Sequence, residues 1–115
     1  SIEAGREVTA RRLERSRGLE CIYYSSDVMS VGGYMHCLAS GLEVPRDVGL
    51  AGFNNLQLLR GLPLDLATTD AHRFEIGETA AEIVLAGQRR RGNLTPVRKQ
   101  MTPPVWRGTS LAASP

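Results

Sequence analysis

The strongest constraint on how this chain can fold is the run Val48-Gly49-Leu50-Ala51-Gly52-Phe53, which carries no polar side chain on either of its alternating faces. A strand that is apolar on both faces belongs inside a parallel sheet, covered by helices above and below. The preceding residues fit that setting. Cys21 to Ser25 forms a short strand in which Ile22, Tyr23 and Tyr24 supply the β-branched and aromatic content. Asp27 is placed to accept hydrogen bonds from the open N–H groups of a helix running to about Ser40. Gly41 stops that helix, Leu42 supplies the hydrophobic contact of its cap, and Pro45 prevents continuation. Strand, helix, strand over this length implies parallel pairing through a right-handed crossover, and the fold class is therefore α/β, a parallel sheet flanked by helices.

Further elements surround this unit. Ala4 to Ser16 reads as a helix with Val8 and Leu13 as its main buried residues, and Ala67 to Thr69 as an extended segment. Phe74 to about Arg90 is the clearest amphipathic helix, with Ile76, Ala80, Ile83 and Val84 on one stripe that something must cover. Val105 to Arg107 is a candidate last strand. Ligands of open α/β sheets sit beyond the carboxyl ends of the strands. Here those ends are Ser25-Ser26-Asp27, Phe53-Asn54-Asn55 and Thr69-Asp70-Ala71-His72, polar turns that imply a small-molecule crevice. Ser26 and Asn54 also suit simple turn closure, and His72 suits a hinge.

Composition excludes several classes. With 115 residues, 42% of them apolar, and 14 Lys+Arg against 12 Asp+Glu, the chain can close one core, as a domain or as part of one, and is not disordered. It lacks the run of about 20 apolar residues that would cross a bilayer, so no membrane partner is expected. Two cysteines make no disulfide framework and point to a reducing, cytoplasmic setting, with Cys21 and Cys37 as buried thiols. Lys99 is the one lysine. Arg6, Arg11, Arg12, Arg15 and Arg17 are interleaved with Glu3, Glu7, Glu14 and Glu20, the pattern of a solvated helix face rather than a nucleic-acid surface. Arg89, Arg90 and Arg91 sit where a helix should end.

Enzymatic chemistry finds no support. His36 and Cys37 are adjacent on a helix and point about 100° apart, too divergent to share a proton easily. Gly32-Gly33 is not part of a dinucleotide-binding loop. No catalytic residue, metal ligand or cofactor is expected, and His36 reads as a packed histidine. The same helix has two apolar stripes. One runs through Met29, Gly32, His36 and Cys37, the other through Val28, Val31, Met35 and Leu38 with Tyr34 beside them. A surface helix needs one stripe, so a second cover is implied, either another helix of the same lobe or a second molecule.

Two longer runs carry a resemblance. Tyr24-Ser25-Ser26-Asp27-Val28-Met29-Ser30-Val31-Gly32, and Gly41-Leu42-Glu43-Val44-Pro45-Arg46-Asp47 leading into Val48 to Asn55, resemble the lactose-repressor (LacI/GalR) family of bacterial transcription regulators. Ala67-Thr68-Thr69, Ile76-Gly77-Glu78-Thr79-Ala80-Ala81 and Arg107-Gly108-Thr109-Ser110 follow in the same order. The likeness covers only the C-terminal part of that architecture. The helix-turn-helix head, the hinge helix and most of the N-terminal subdomain have no counterpart in these residues.

The resemblance implies an effector domain of two lobes, like a type I periplasmic binding protein, with a sugar, nucleoside or related polar metabolite between them. Residues 1–71 and 101–115 would form the C-terminal lobe, and residues 72–100 the crossover helix and return segment of the N-terminal lobe. Ser26, Asn54 and His72 would face the effector, with Phe74 as an apolar wall. A homodimer seam would use Val31, Tyr34, Met35 and Leu38 with Leu58 and Leu62 alongside, and operator DNA would be bound only through the absent head. The rival is a sugar-binding lobe of a transporter's periplasmic protein. Asn54 stands where the family often has an aspartate, so its neutral amide offers one acceptor and one donor group instead of two acceptor oxygens.

Overall fold

In the computed structural model, which describes residues 1–89 and 95–113, the chain runs α1 (Ile2–Arg15), β1 (Cys21–Tyr23), α2 (Asp27–Ala39), β2 (Gly49–Phe53), a short 3-10 helix (Gln57–Gly61), β3 (Ala67–Thr69), α3 (Arg73–Arg89) and β4 (Val105–Trp106). Arg90 and Arg91 lie outside the described residues. The sheet order is β1-β2-β3-β4, with β1, β2 and β3 parallel and β4 antiparallel to β3. Ala51 is level with Tyr23 on one side and Ala67 on the other. Tyr24, Val31, Tyr34, Cys37, Val48, Leu50, Leu59 and Leu66 form the core between the sheet and α2.

Helix α1 starts at Ser1, whose hydroxyl accepts from the Ala4 N–H at 3.1 Å, and ends with Arg12 and Arg15 at its electronegative terminus. Its buried residues are Gly5 and Thr9, whereas Val8 and Leu13, expected to lead, are only half-buried. The reason is the closeness of the α1–α2 crossing. A Cβ on Gly5 would overlap the Met29 backbone, and one on Gly32 the Ile2 carbonyl, so backbone meets backbone with no room for larger side chains. Gly33 opens space for a buried polar pair. Thr9 Oγ1 donates to the Gly5 carbonyl at 2.6 Å, which leaves the Tyr24 hydroxyl to donate to Thr9 Oγ1 at 2.6 Å. Burial pushes the Tyr24 phenol up to about 12, so it remains a donor. Exposed Glu7 and Arg11 pair at 3.9 Å, in keeping with a solvated outer face.

This packing changes the reading of α2. Helix α1 covers Met29 and Gly32 of its first stripe, while Cys37 of that stripe joins Val31 and Tyr34, both expected at a dimer seam, in the chain's own core, the last two at 2% and 7% exposure. Met35, Leu38 and Leu58 are exposed, and Leu62 packs partly against the core. Cys37 is buried, but Cys21, expected to be buried too, is exposed because β1 is an edge strand. His36 is half-buried, its Nε2 3.4 Å from Ser40 Oγ. At the end of α2, Gly41 takes φ +70° and the Leu42 N–H donates back to the Cys37 carbonyl at 2.9 Å, folding Leu42 onto the core.

The C-terminal segment returns to stitch the sheet. Ser110 Oγ donates to the Leu50 carbonyl and accepts from the Ala67 N–H at 2.7 Å, bridging β2 and β3 where they diverge at their amino ends. Helix α3, by contrast, buries none of its residues, and Phe74, Ile76, Val84 and Leu85 are exposed. The radius of gyration is 18.8 Å, against about 13 Å for a compact chain of this length, and the longest extent is 62 Å.

Replacing Gly32 by Ala should lower stability by on the order of 1–2 kcal/mol, because a methyl set against a backbone carbonyl cannot be relieved by rotating a side chain. Urea unfolding checks this against Gly61→Ala, where the added methyl meets open space and the midpoint should scarcely move.

Candidate functional site

Parallel pairing of β1, β2 and β3 brings their following turns to one edge of the sheet. The turns are locked together from beneath by Asp27, the first residue of α2, whose side chain is fully buried. Asp27 Oδ1 accepts from the Thr68 hydroxyl of β3 at 2.6 Å, and Oδ2 accepts from the Leu56 N–H, beyond the turn after β2, at 2.7 Å. Thr68 Oγ1 in turn accepts from the Asn55 N–H at 3.2 Å. Gly52 lies against this carboxylate, and a Cβ there would collide with Asp27 Oδ1 and Ser30 Oγ. Asp27 was expected to cap α2, but that role belongs to Ser26, whose hydroxyl accepts from the Val28 N–H at 3.3 Å. Asp27 reaches across the sheet instead.

Above this clamp stand the residues expected to meet an effector. Ser26, Asn54 and His72 are each half-buried on the carboxyl edge. The Asn54 N–H donates to the Thr69 carbonyl at 2.8 Å, while its side-chain amide has no hydrogen-bond partner among the described residues. Asn54, Asn55 and His72 have φ of 106°, 51° and 47°, a region that residues with a Cβ enter at a cost and that Asn tolerates best. Such backbone strain concentrates at ligand sites and switch regions. Phe74, expected as an apolar wall, is 79% exposed in the first turn of α3.

Asn55, Thr68 and Asp70 were not singled out from the sequence, yet they complete the edge. Asp70 Oδ2 accepts from Asn55 Nδ2 at 3.1 Å and Oδ1 from the His72 N–H at 2.9 Å. These bonds, the His72 amide first, hold the Asp70 carboxyl below the usual carboxylate range. Gly52 inside an apolar strand and a threonine inside a buried one were the available signals, the first for a close approach and the second for a hydroxyl needing a partner. A recess of about 150 Å³ lies beside the edge between Asn55, Leu59, Thr68 and Trp106. A wider open furrow of about 660 Å³ runs between α1 and α2 past Arg6, Met35 and His36, away from the turns. Among the described residues no group of His, Cys, Asp and Glu is arranged to hold a metal ion.

The chain matches the family model described as a periplasmic binding protein-like domain over residues 2–110. It is 31% identical over 85 residues to the HTH-type transcriptional repressor CytR of Escherichia coli, covering 74% of this chain and 25% of that protein. It is 30% identical over 73 residues to the ribose operon repressor of Haemophilus influenzae, covering 64% of this chain and 22% of the repressor. Among solved structures, a LacI-family transcriptional regulator from Silicibacter pomeroyi superposes with a TM-score of 0.85 at 42% identity, covering 96% of this chain and 33% of that one. The chain thus spans about a quarter of the curated relatives and a third of the solved regulator.

Asp27→Asn should reduce stability by ~1–3 kcal/mol, since an amide sets an N–H₂ group against either the Leu56 N–H or the Thr68 hydroxyl and leaves a buried donor unpaired. The midpoint of urea unfolding measures it, and an unchanged midpoint would contradict the clamp.

Proposed function

Because the chain belongs to the periplasmic binding protein-like family, as the C-terminal part of the effector-binding domain of a LacI-type regulator, we propose that it binds a small polar effector and helps a bacterial repressor couple that binding to DNA release or capture. What supports this reading is that the turns carrying Ser26, Asn54 and His72 follow neighbouring parallel strands along one sheet edge, with the Asn54 side-chain amide unpartnered among the described residues and its backbone at positive φ. Hydroxyl, amide and imidazole groups suit a neutral polyol such as a sugar or nucleoside. The relative named for the ribose operon supports that chemical class. Phe74 would reach the ligand only once a second lobe closes over the edge.

Residues 1–71 and 101–115 act as the C-terminal lobe, and residues 72–100 as a helix and return segment laid on the N-terminal lobe. The bare stripe of α3 supports that division. Met35, Leu38 and Leu58 form the exposed part of a homodimer seam with Leu62 beside them, while Val31 and Tyr34 support the seam from within the core. Operator DNA is bound in the cytoplasm through a helix-turn-helix head outside these residues. An effector that prefers one closure state of the lobes shifts the population of that state, and so aligns or misaligns paired heads with two half-sites. Among the described residues no helix is long and apolar enough to cross a membrane. The transporter-lobe reading is not favoured, since the matched relatives are transcriptional regulators.

A panel of pentoses, hexoses and nucleosides, screened by thermal shift on the full-length regulator, should contain a ligand that raises its melting temperature. Asn54→Ala should then weaken that ligand by ~1–3 kcal/mol in calorimetric titration, the usual cost of an unpaired polar group. Undiminished affinity in the variant would remove Asn54 from the site.

A further inference from the structure

We propose that Asp70 is a positioning residue of the effector edge: its carboxylate ties the turn after β2 to the crossover into α3 and holds Asn55 and His72 in their left-handed backbone. The two oxygens are divided between the two turns, Oδ2 accepting from Asn55 Nδ2 at 3.1 Å and Oδ1 from the His72 N–H at 2.9 Å. Asp70 is itself anchored, its own N–H donating to the Pro104 carbonyl at 2.9 Å, just before β4. Asn55 and His72 sit at φ of 51° and 47°, a left-handed basin that both residue types enter more readily than most but still at a cost, so that it needs holding. Asn54 lies next to one of these residues, and the imidazole belongs to the other. Fixing both backbones therefore fixes two of the groups offered to a ligand.

Of its own segment, His72 and Arg73 are the titratable neighbours that draw the Asp70 carboxyl down. The turn after β2 contributes the Asn55 amide, and the segment before β4 contributes a backbone carbonyl. Each oxygen makes one bond inside the chain, so the carboxylate meets a ligand only through its remaining lone pairs, beside the amide, hydroxyl and imidazole groups of the edge. The sign of the pH effect follows from the lowered carboxyl. The tie is complete above the ordinary carboxylate range and is lost as pH falls through the lowered value.

The inference gives a mechanical basis to the effector reading and rests on it for its purpose, but its test uses no ligand, so either can fail without the other. In an NMR titration of this chain, the Asn55 side-chain amide and the His72 N–H should shift together with one midpoint, that of Asp70, below the ordinary carboxylate value. Strong intraresidue amide–Hα Overhauser effects should mark Asn55 and His72 as left-handed at neutral pH. In Asp70→Ala the shared acid step should vanish and both Overhauser effects should weaken, while those around Ser26 persist. In Asn55→Ala the Asp70 midpoint should rise toward its ordinary value. An Asp70 midpoint at the ordinary value, separate midpoints for the two reporters, or unchanged Overhauser effects in Asp70→Ala would overturn the proposal.

Discussion

The structure turns on one buried carboxylate. Asp27 is the first residue of α2 and lies under Gly52, with one oxygen bonded to Thr68 and the other to the Leu56 N–H. A buried carboxylate is expensive unless its lone pairs are satisfied, and here a hydroxyl, a backbone amide and the positive end of a helix all meet it. The consequence is geometric. The helix start after β1, the segment after β2 and the strand β3 must hold a single arrangement, because moving any of them leaves a buried polar group without its partner.

What stands on that clamp is the chemistry of the edge. The Asn54 and Asn55 turn is pinned on one side by the Thr69 carbonyl and on the other by Thr68 and Asp70, and within that frame positive φ becomes tenable. At the opposite end of the same strands Ser110 performs a matching service, bridging Leu50 and Ala67. Two polar stitches thus hold β2 and β3 at both ends, and the apolar core between them has only to fill space. The fit of α1 on α2 by glycine contacts leaves Met35 and Leu38 as the apolar side chains that α2 turns outward.

Much of this was legible in the chain. The apolar run from Val48 to Phe53, the stop at Gly41-Leu42 and the turn residues after each strand fix the class and the edge on which polar groups collect. They do so because period and turn chemistry are local. What was not legible depends on partners distant in sequence. That Asp27 reaches Thr68 rather than capping its own helix is a contact across 41 residues. That Gly5 and Thr9 displace Val8 and Leu13 as the buried face of α1 depends on how closely α2 approaches. Val31 and Tyr34 follow a stripe equally suited to a partner or to the core, and only the packing of the sheet assigns them to the core.

Through the Asp27 clamp the edge behind Asn54 is one rigid unit with the core. Amide hydrogen exchange at Leu56 reads it most directly. Leu56 sits in a loop and is not fully buried, so without the clamp its N–H should exchange like any turn amide. Held by Asp27, it should be protected about as well as the β2 core amides in the native chain, and should lose that protection when Asp27 is replaced. Leu56 exchange as fast as that of neighbouring exposed loop amides, with β2 still protected, would contradict it.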